Sequence, residues 1–115
     1  MIIKKEDRVE HKNSDKCVAH EYPMHDKDIN IAHIEIDGRY PNSGLVLNEK
    51  VKEIVYVTQG SGKIVVEGEE HSLNKGDSIL LLPNQKYFFE GNYLEIIAAC
   101  SPAWWPEQHK TVEEN

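Results

Sequence analysis

Cysteine is nearly absent: Cys17 and Cys100 are the only two among 115 residues, far apart and without a CxxC partner. That excludes a disulfide framework and a zinc knuckle, and both are expected to be plain reduced thiols of a cytoplasmic protein. Long apolar runs are missing as well. No stretch approaches the about 20 apolar residues of a membrane span, and the opening MIIKKEDRVEHK lacks the apolar core of a signal peptide. Positive charge is scarce, since 13 Lys and Arg face 20 Asp and Glu for a formal charge of −7. With no basic stripe, nucleic acid and anionic membrane surfaces are poor partners, and a small neutral or weakly charged molecule is easier to accommodate. There is no internal repeat, no low-complexity tract and no helix-turn-helix.

What is present is turn spacing. Across EIVYVTQGSGKIVVEGEEHSLNKGDSILLLPNQKYFFEG, residues 53–91, short alternating runs are separated by breakers. Gly60-Ser61-Gly62 is expected to form a tight corner. Lys63 to Glu67 then meets Gly68 and returns through Glu70 to Leu73 as a hairpin. Lys75-Gly76-Asp77 turns again before Ser78 to Leu82, a run too short for a helix. Upstream, Cys17 to Tyr22 reads as a strand ended by Pro23. In Ile29 to Asp37, Ala32, Ile34 and Ile36 share one face while His33 and Glu35 share the other, which puts His33 outside a barrel. GRYPNSG, residues 38–44, reads as a turn-rich loop, and the segment before Ser14 as a polar stretch lying across the barrel or loose at its start.

This layout resembles the cupin superfamily over roughly residues 29–100. Glu53 and Gly60 match the second half of the family's first motif, and Gly76, Asp77 and Pro83 match its second. The histidines of the first motif would fall within Val46-Leu47-Asn48-Glu49, where there are none, and Tyr87 stands where the second motif has its histidine. The resemblance implies an all-β, single-domain double-stranded β-helix, a jelly-roll barrel of the small cupin type, without the usual motif histidines. A chain of this length buries about two-thirds of its unfolded surface, enough for one core and one pocket. The expected organisation is one domain over residues 1–115, with an N-terminal strand segment at 1–28 and a C-terminal tail at 101–115. Cupins include metal-dependent dioxygenases, sugar-phosphate isomerases, metal-free epimerases, storage proteins and sensor domains, so membership leaves the function open.

The family position of Glu53 points it into the barrel, with Val55 and Val57 on the same face and Ile54, Tyr56 and Thr58 outward. Tyr87 and Phe89 would share the inward face of a later strand, bringing Tyr87 toward Glu53. Three readings of that pair follow. In the structural one, Glu53 accepts a hydrogen bond from Tyr87, satisfying groups that would each cost about 1–3 kcal/mol if left alone. In the binding one, Asn48, Glu49, Glu53, Val55, Tyr87, Phe89 and Trp104 line a pocket for a small polar, sugar-like molecule. In the catalytic one, burial raises the pKa of Glu53 so that it moves a proton, with Tyr87 as acid or orienting donor, as in a metal-independent isomerase or epimerase. Whether the chain is an enzyme stays open at this point.

No metal cofactor is expected. A catalytic site needs about three converging protein ligands, and no two histidines have HxH spacing; His20, His25, His71 and His109 read as solvated surface residues. The alternative is a divalent metal held by non-standard ligands, Glu49, Glu53 and Tyr87 with a histidine brought from elsewhere. The outward pair Ile54 and Tyr56, and Ile79 to Leu82, apolar on both parities and so expected to be buried on both faces, need cover from the N-terminal strand or a second subunit; a homodimer is the expected state. In CSPAWWPEQHK, Pro102 and Pro106 stiffen the backbone around Trp104 and Trp105, so that one tryptophan seals the barrel or a contact and the other rims the pocket. Residues 107–115 read as a charged terminus with one helical turn at most.

Overall fold

The computed structural model describes residues 1–114; Asn115 lies outside the described residues. The described residues form nine strands: β1 (Val9–Ser14), β2 (Cys17–Glu21), β3 (Asn30–Tyr40), β4 (Leu45–Asn48), β5 (Lys52–Val66), β6 (Glu69–Asn74), β7 (Ser78–Leu81), β8 (Tyr87–Ser101) and β9 (His109–Val112). The only helical pieces among the described residues are two single 3-10 turns, Lys5–Asp7 and Pro106–Gln108. All ladders are antiparallel, and β8 lies at the centre. One of its edges pairs with β3 from Cys100 back to Phe89, the other with β5 from Ser101 back to Tyr87. The sheet then extends from β3 through β2 to β1 and from β8 through β4 to β9, while β6 and β7 pair with β5.

A glycine crease lets the long strands close on themselves. Gly38, Gly91 and Gly62 are cross-strand neighbours in β3, β8 and β5, so three adjacent strands have no side chain along one line and bend sharply there. A Cβ on Gly62 would lie 2.5 Å from the carbonyl oxygen of Glu90. The expected corner at Gly60-Ser61-Gly62 is therefore not a loop. β5 runs unbroken through it, and the glycines serve close backbone approach and a bulge, not chain reversal. The register shifts between Val57 and Gln59 and between Gly60 and Gly62. A facing irregularity in β8 lies where Tyr93 has a φ of 70°.

These bulges reverse the side-chain parity. In β5 the buried face passes from Glu53, Val55 and Val57 to Ile64 and Val66; in β8 it passes from Tyr87 and Phe89 to Leu94, Ile96, Ala98 and Cys100. An added residue in one strand moves every later side chain to the other face unless the strand also turns over. Here the bend does the turning, so both halves point into one core formed with Cys17, Ile36, Tyr40, Val46, Leu73 and Leu81.

The hairpin from β5 to β6 forms as expected. Val66 pairs with Glu69, and the two loop residues Glu67 and Gly68 both have positive φ, 50° and 80°, the backbone of a twist-matched two-residue turn. Gly76 likewise turns the chain, at a φ of 93°. Other expectations are corrected. The segment before Ser14 forms β1, paired with β2. β3 continues through Gly38 to Tyr40, where a loop was expected. The charged terminus is strand β9, because β4 offers it an open edge from Leu45 to Asn48. Leu80 and Leu82 are not buried: their exposures are 52% and 42%, beside Ile54 at 51% and Tyr56 at 47%. The N-terminal strand cannot cover them, since β1 sits beyond β2 while Leu80 pairs with Ile54 on the far side of β8.

Candidate functional site

The two halves of the barrel face each other across a cavity of ≈ 60 Å³. One half contributes Glu53 from β5, Cys17 and Ala19 from β2, Ala32, Ile34 and Ile36 from β3, and Cys100 from β8; across from them stand Tyr40, Tyr87 and Phe89. Trp104 and His109 close one side, and the partly exposed Asn13, Glu21 and Asn30 mark the way out. The lining is mostly apolar with a few polar groups, the usual make-up of a small-molecule site.

Glu53 is buried, at 6% exposure. Its Oε1 accepts from Asn48 Nδ2 at 3.2 Å and from the Cys100 thiol at 3.8 Å. Burial disfavours the carboxylate and raises its pKa from 4.5 to about 7, while the hydrogen bonds from Asn48 and Cys100 pull it down. Tyr87 is nearby, and its own pKa is driven well up, first by burial and then by the charge of Glu53. No hydrogen bond joins the two among the described residues; the acceptor face of Glu53 is used by Asn48 and Cys100. The direct Glu53–Tyr87 bond of the structural reading is thus absent among the described residues, and two other donors serve the carboxyl.

Asn48 is the hub behind the carboxyl. Its Oδ1 accepts from Trp104 Nε1 at 3.2 Å, Gln108 Nε2 at 2.9 Å and His109 Nδ1 at 2.9 Å. An indole N–H only donates, so the amide orientation is set and Nδ2 must be the atom turned to Glu53. The same logic fixes His109: Nδ1 faces an oxygen and carries the proton, which leaves Nε2 to accept from the Tyr40 hydroxyl at 2.9 Å. Burial, aided by His11, lowers the His109 pKa from 6.5 to about 4. At neutral pH a neutral imidazole therefore sits between Tyr40 and Asn48. Both thiols are held protonated, Cys17 pushed up to about 11 by burial and Cys100 raised by burial and the Glu53 charge.

The sequence-derived site residues divide. Glu53, Tyr87, Phe89 and Trp104 line the cavity. Asn48 is buried behind Glu53, Val55 is fully enclosed in the packed core, and Glu49 is exposed, its backbone N–H bonded to Gln108. Trp105 is partly exposed. Sequence reasoning missed Tyr40, His109, Cys17 and Cys100 as lining residues. Tyr40 had a signal, because the even-numbered alternation Ala32, Ile34, Ile36 reaches it once β3 is carried across Gly38. His109 had none, because its place depends on β9 finding β4.

The barrel does not suit the metal that the cupin resemblance implies. Among the described residues the carboxylates lining the cavity are Glu53 and, at its mouth, Glu21, and both ring nitrogens of His109 already face partners. Among the described residues, three potential ligands come within 4.8 Å of one another at His33, Glu35 and Glu95, outside the barrel. Among the described residues no helix is long and apolar enough to cross a membrane.

The AraC-like ligand binding domain family matches residues 52–91, from the start of β5 into β8. No curated protein sequence matches the chain. Among solved structures, Pac13, described as a unique nucleoside dehydratase, superposes with a TM-score of 0.87 at 17% identity, covering 98% of this chain and 91% of that one. Variants of Streptomyces Pac13 with a tyrosine changed to phenylalanine, or a histidine to glutamine, are described with uridine. Ectoine synthase from P. lautus matches at 17% identity over 100% of this chain and 92% of that one, TM-score 0.72. An RmlC-like cupin from Shewanella frigidimarina matches at 18% identity over 87% and 88%, TM-score 0.72. With these barrels and the crease-and-bulge architecture together, the chain is a protein of the cupin fold.

Proposed function

We propose that the barrel binds a small polar molecule with ring hydroxyls, sugar-like or nucleoside-like, and that Glu53 exchanges a proton with it in a metal-independent dehydration or isomerisation. The observation that carries this reading is a carboxyl with a pKa of about 7, enclosed in a cavity with a neutral histidine and two phenols. A general acid–base group works best when its pKa lies near the working pH. Both protein hydrogen bonds fall on Oε1 of Glu53, so Oε2 is the oxygen a ligand meets. Tyr87 supplies an O–H that stays protonated and donates to an oxygen gaining charge. Tyr40 donates its hydroxyl hydrogen bond to His109 Nε2 and keeps its lone pairs for a ligand hydroxyl. The enclosed space is far smaller than the ~300–1,000 Å³ of a typical ligand pocket, so the reacting end lies between Glu53 and Tyr87 and the remainder rests against Trp104. The overlay with Pac13, whose studied variants involve tyrosine and histidine, supports the same chemistry class.

A second reading is a binding module without turnover, favoured by the AraC-like ligand binding match. In either reading the chain works as one cupin unit in the cytoplasm, and a second copy covers Ile54, Tyr56, Leu80 and Leu82 to make a homodimer.

The test is a titration of wild type, Tyr87→Phe and Glu53→Gln with uridine and with free pentoses and hexoses, by calorimetry and by NMR for product. The expected result is binding by wild type, weakened about tenfold or more in Tyr87→Phe, with turnover abolished in Glu53→Gln. Because Tyr87 makes no bond to Glu53, its substitution is expected to change stability by less than about 1 kcal/mol. A loss of stability of about 1–3 kcal/mol with unchanged binding would return the pair to a purely structural role. Binding without product from any of these compounds would favour the binding module.

A further inference from the structure

We propose that the outer face of the sheet carries a divalent transition-metal site, formed by His33, Glu35 and Glu95 and completed by His20, which fastens β2, β3 and β8 together. The register brings the four side chains to one patch. His33 and Glu35 stand two residues apart on the outward face of β3, β2 places His20 opposite His33, and β8 places Glu95 opposite Glu35. His33 Nε2 lies 3.2 Å from Glu95 Oε1, and His20 Nε2 lies 3.9 Å from Glu35 Oε2. One ligand atom from each of His33, Glu35 and Glu95 falls within 4.8 Å of the others. Two ligands of a tetrahedral zinc at ordinary bond lengths sit about 3.3 Å apart, so shifts of up to about 1.5 Å close these three.

A second observation points to a cation. Glu35 and Glu95 are directly opposed across the β3–β8 ladder, and like charges in that arrangement destabilise a sheet. The ion-pair partners of these carboxylates among the described residues are the two histidines, not lysine or arginine. Glu95 and His33 are mostly covered, with side-chain exposures of 15% and 20%. Two imidazoles and two carboxylates form a donor set suited to zinc and its transition-metal neighbours, not to calcium or magnesium. The site stands apart from the cavity: none of the four residues lines it, and the inward face of the same strands carries Ala32, Ile34 and Ile96.

The 115-residue protein, stripped with a chelator, is titrated with zinc chloride by calorimetry, and with cobalt(II) by visible absorption. The expected result is one equivalent of zinc, tetrahedral cobalt bands, and a melting temperature that rises with zinc. His33→Asn and Glu95→Gln are each expected to weaken zinc at least about tenfold and to cancel the thermal shift, while Glu53→Gln keeps both. Each variant's fold is checked by its metal-free melting curve; should either fail to fold, Glu35→Gln reads the same site from a more exposed position, 39%. The proposal is overturned if wild type takes up no zinc at micromolar concentrations, if uptake survives these substitutions, or if it is lost in Glu53→Gln.

Discussion

Replacing Glu53 by Gln is expected to stabilise the protein at alkaline pH and to leave it unchanged in acid. The folded-state pKa of Glu53 is raised to about 7 from 4.5. Each pKa unit corresponds to about 1.36 kcal/mol, so enclosing the ionised form costs about 3 kcal/mol. A raised folded value means that the native state holds the proton more tightly than the unfolded chain. The cost is therefore absent below about pH 4.5, grows as pH rises, and is complete above about pH 7. Gln cannot ionise and retains an oxygen for Asn48, so it avoids the cost. His109 runs the other way: its folded value is lowered from 6.5 to about 4, so its cost is absent above about pH 6.5 and complete below about pH 4. In wild type the two nearly offset each other between these limits. In Glu53→Gln the histidine acts alone, and stability is expected to fall by about 3 kcal/mol from pH 7 to pH 4. Urea titrations of both proteins from pH 4 to pH 8 at constant ionic strength, read for midpoint and slope, give the difference. A difference that stays constant across this range would refute the reasoning, for it would mean that Glu53 titrates as a solvated carboxyl.

Two further outcomes are expected. Gly62→Ala places a methyl 2.5 Å from the Glu90 carbonyl at the crease, and a loss of about 1–3 kcal/mol in a denaturant titration is expected; a change within about 0.5 kcal/mol would show that the crease opens without strain. Wild type is expected to scatter light as a dimer and a combined Ile54→Glu, Leu80→Glu protein as a monomer, because these half-exposed side chains are neighbours on β5 and β7; a monomeric wild type at micromolar and higher concentrations would remove the second copy as their cover.

Some of this protein is determined by residues close together in the chain. Glu67-Gly68 turns a hairpin and Lys75-Gly76-Asp77 a corner, because positive φ is a local demand that glycine meets cheaply. The face shared by Ala32, Ile34 and Ile36, and the face shared by Tyr87 and Phe89, follow from the period of two along a strand; the inward direction of Glu53 came from the resemblance to the family's first motif. A small β-barrel was legible on that basis, and its cupin type through the resemblance of Glu53, Gly60, Gly76, Asp77 and Pro83 to the family's motifs.

Tertiary structure decided what local pattern leaves open. Gly60-Ser61-Gly62 has the composition of a turn, yet β8 pairs with β5 on both sides of it, and that long-range pairing turned the glycines into a bulge and a crease. Only with this parity reversal do Tyr87 from one half and Cys100 from the other meet over Glu53. Asn48, Trp104 and His109 converge because β9 pairs with β4, a contact between segments some sixty residues apart. His109 is then neutral through burial, and burial is a property of the assembled barrel that no window of sequence around HKTV contains.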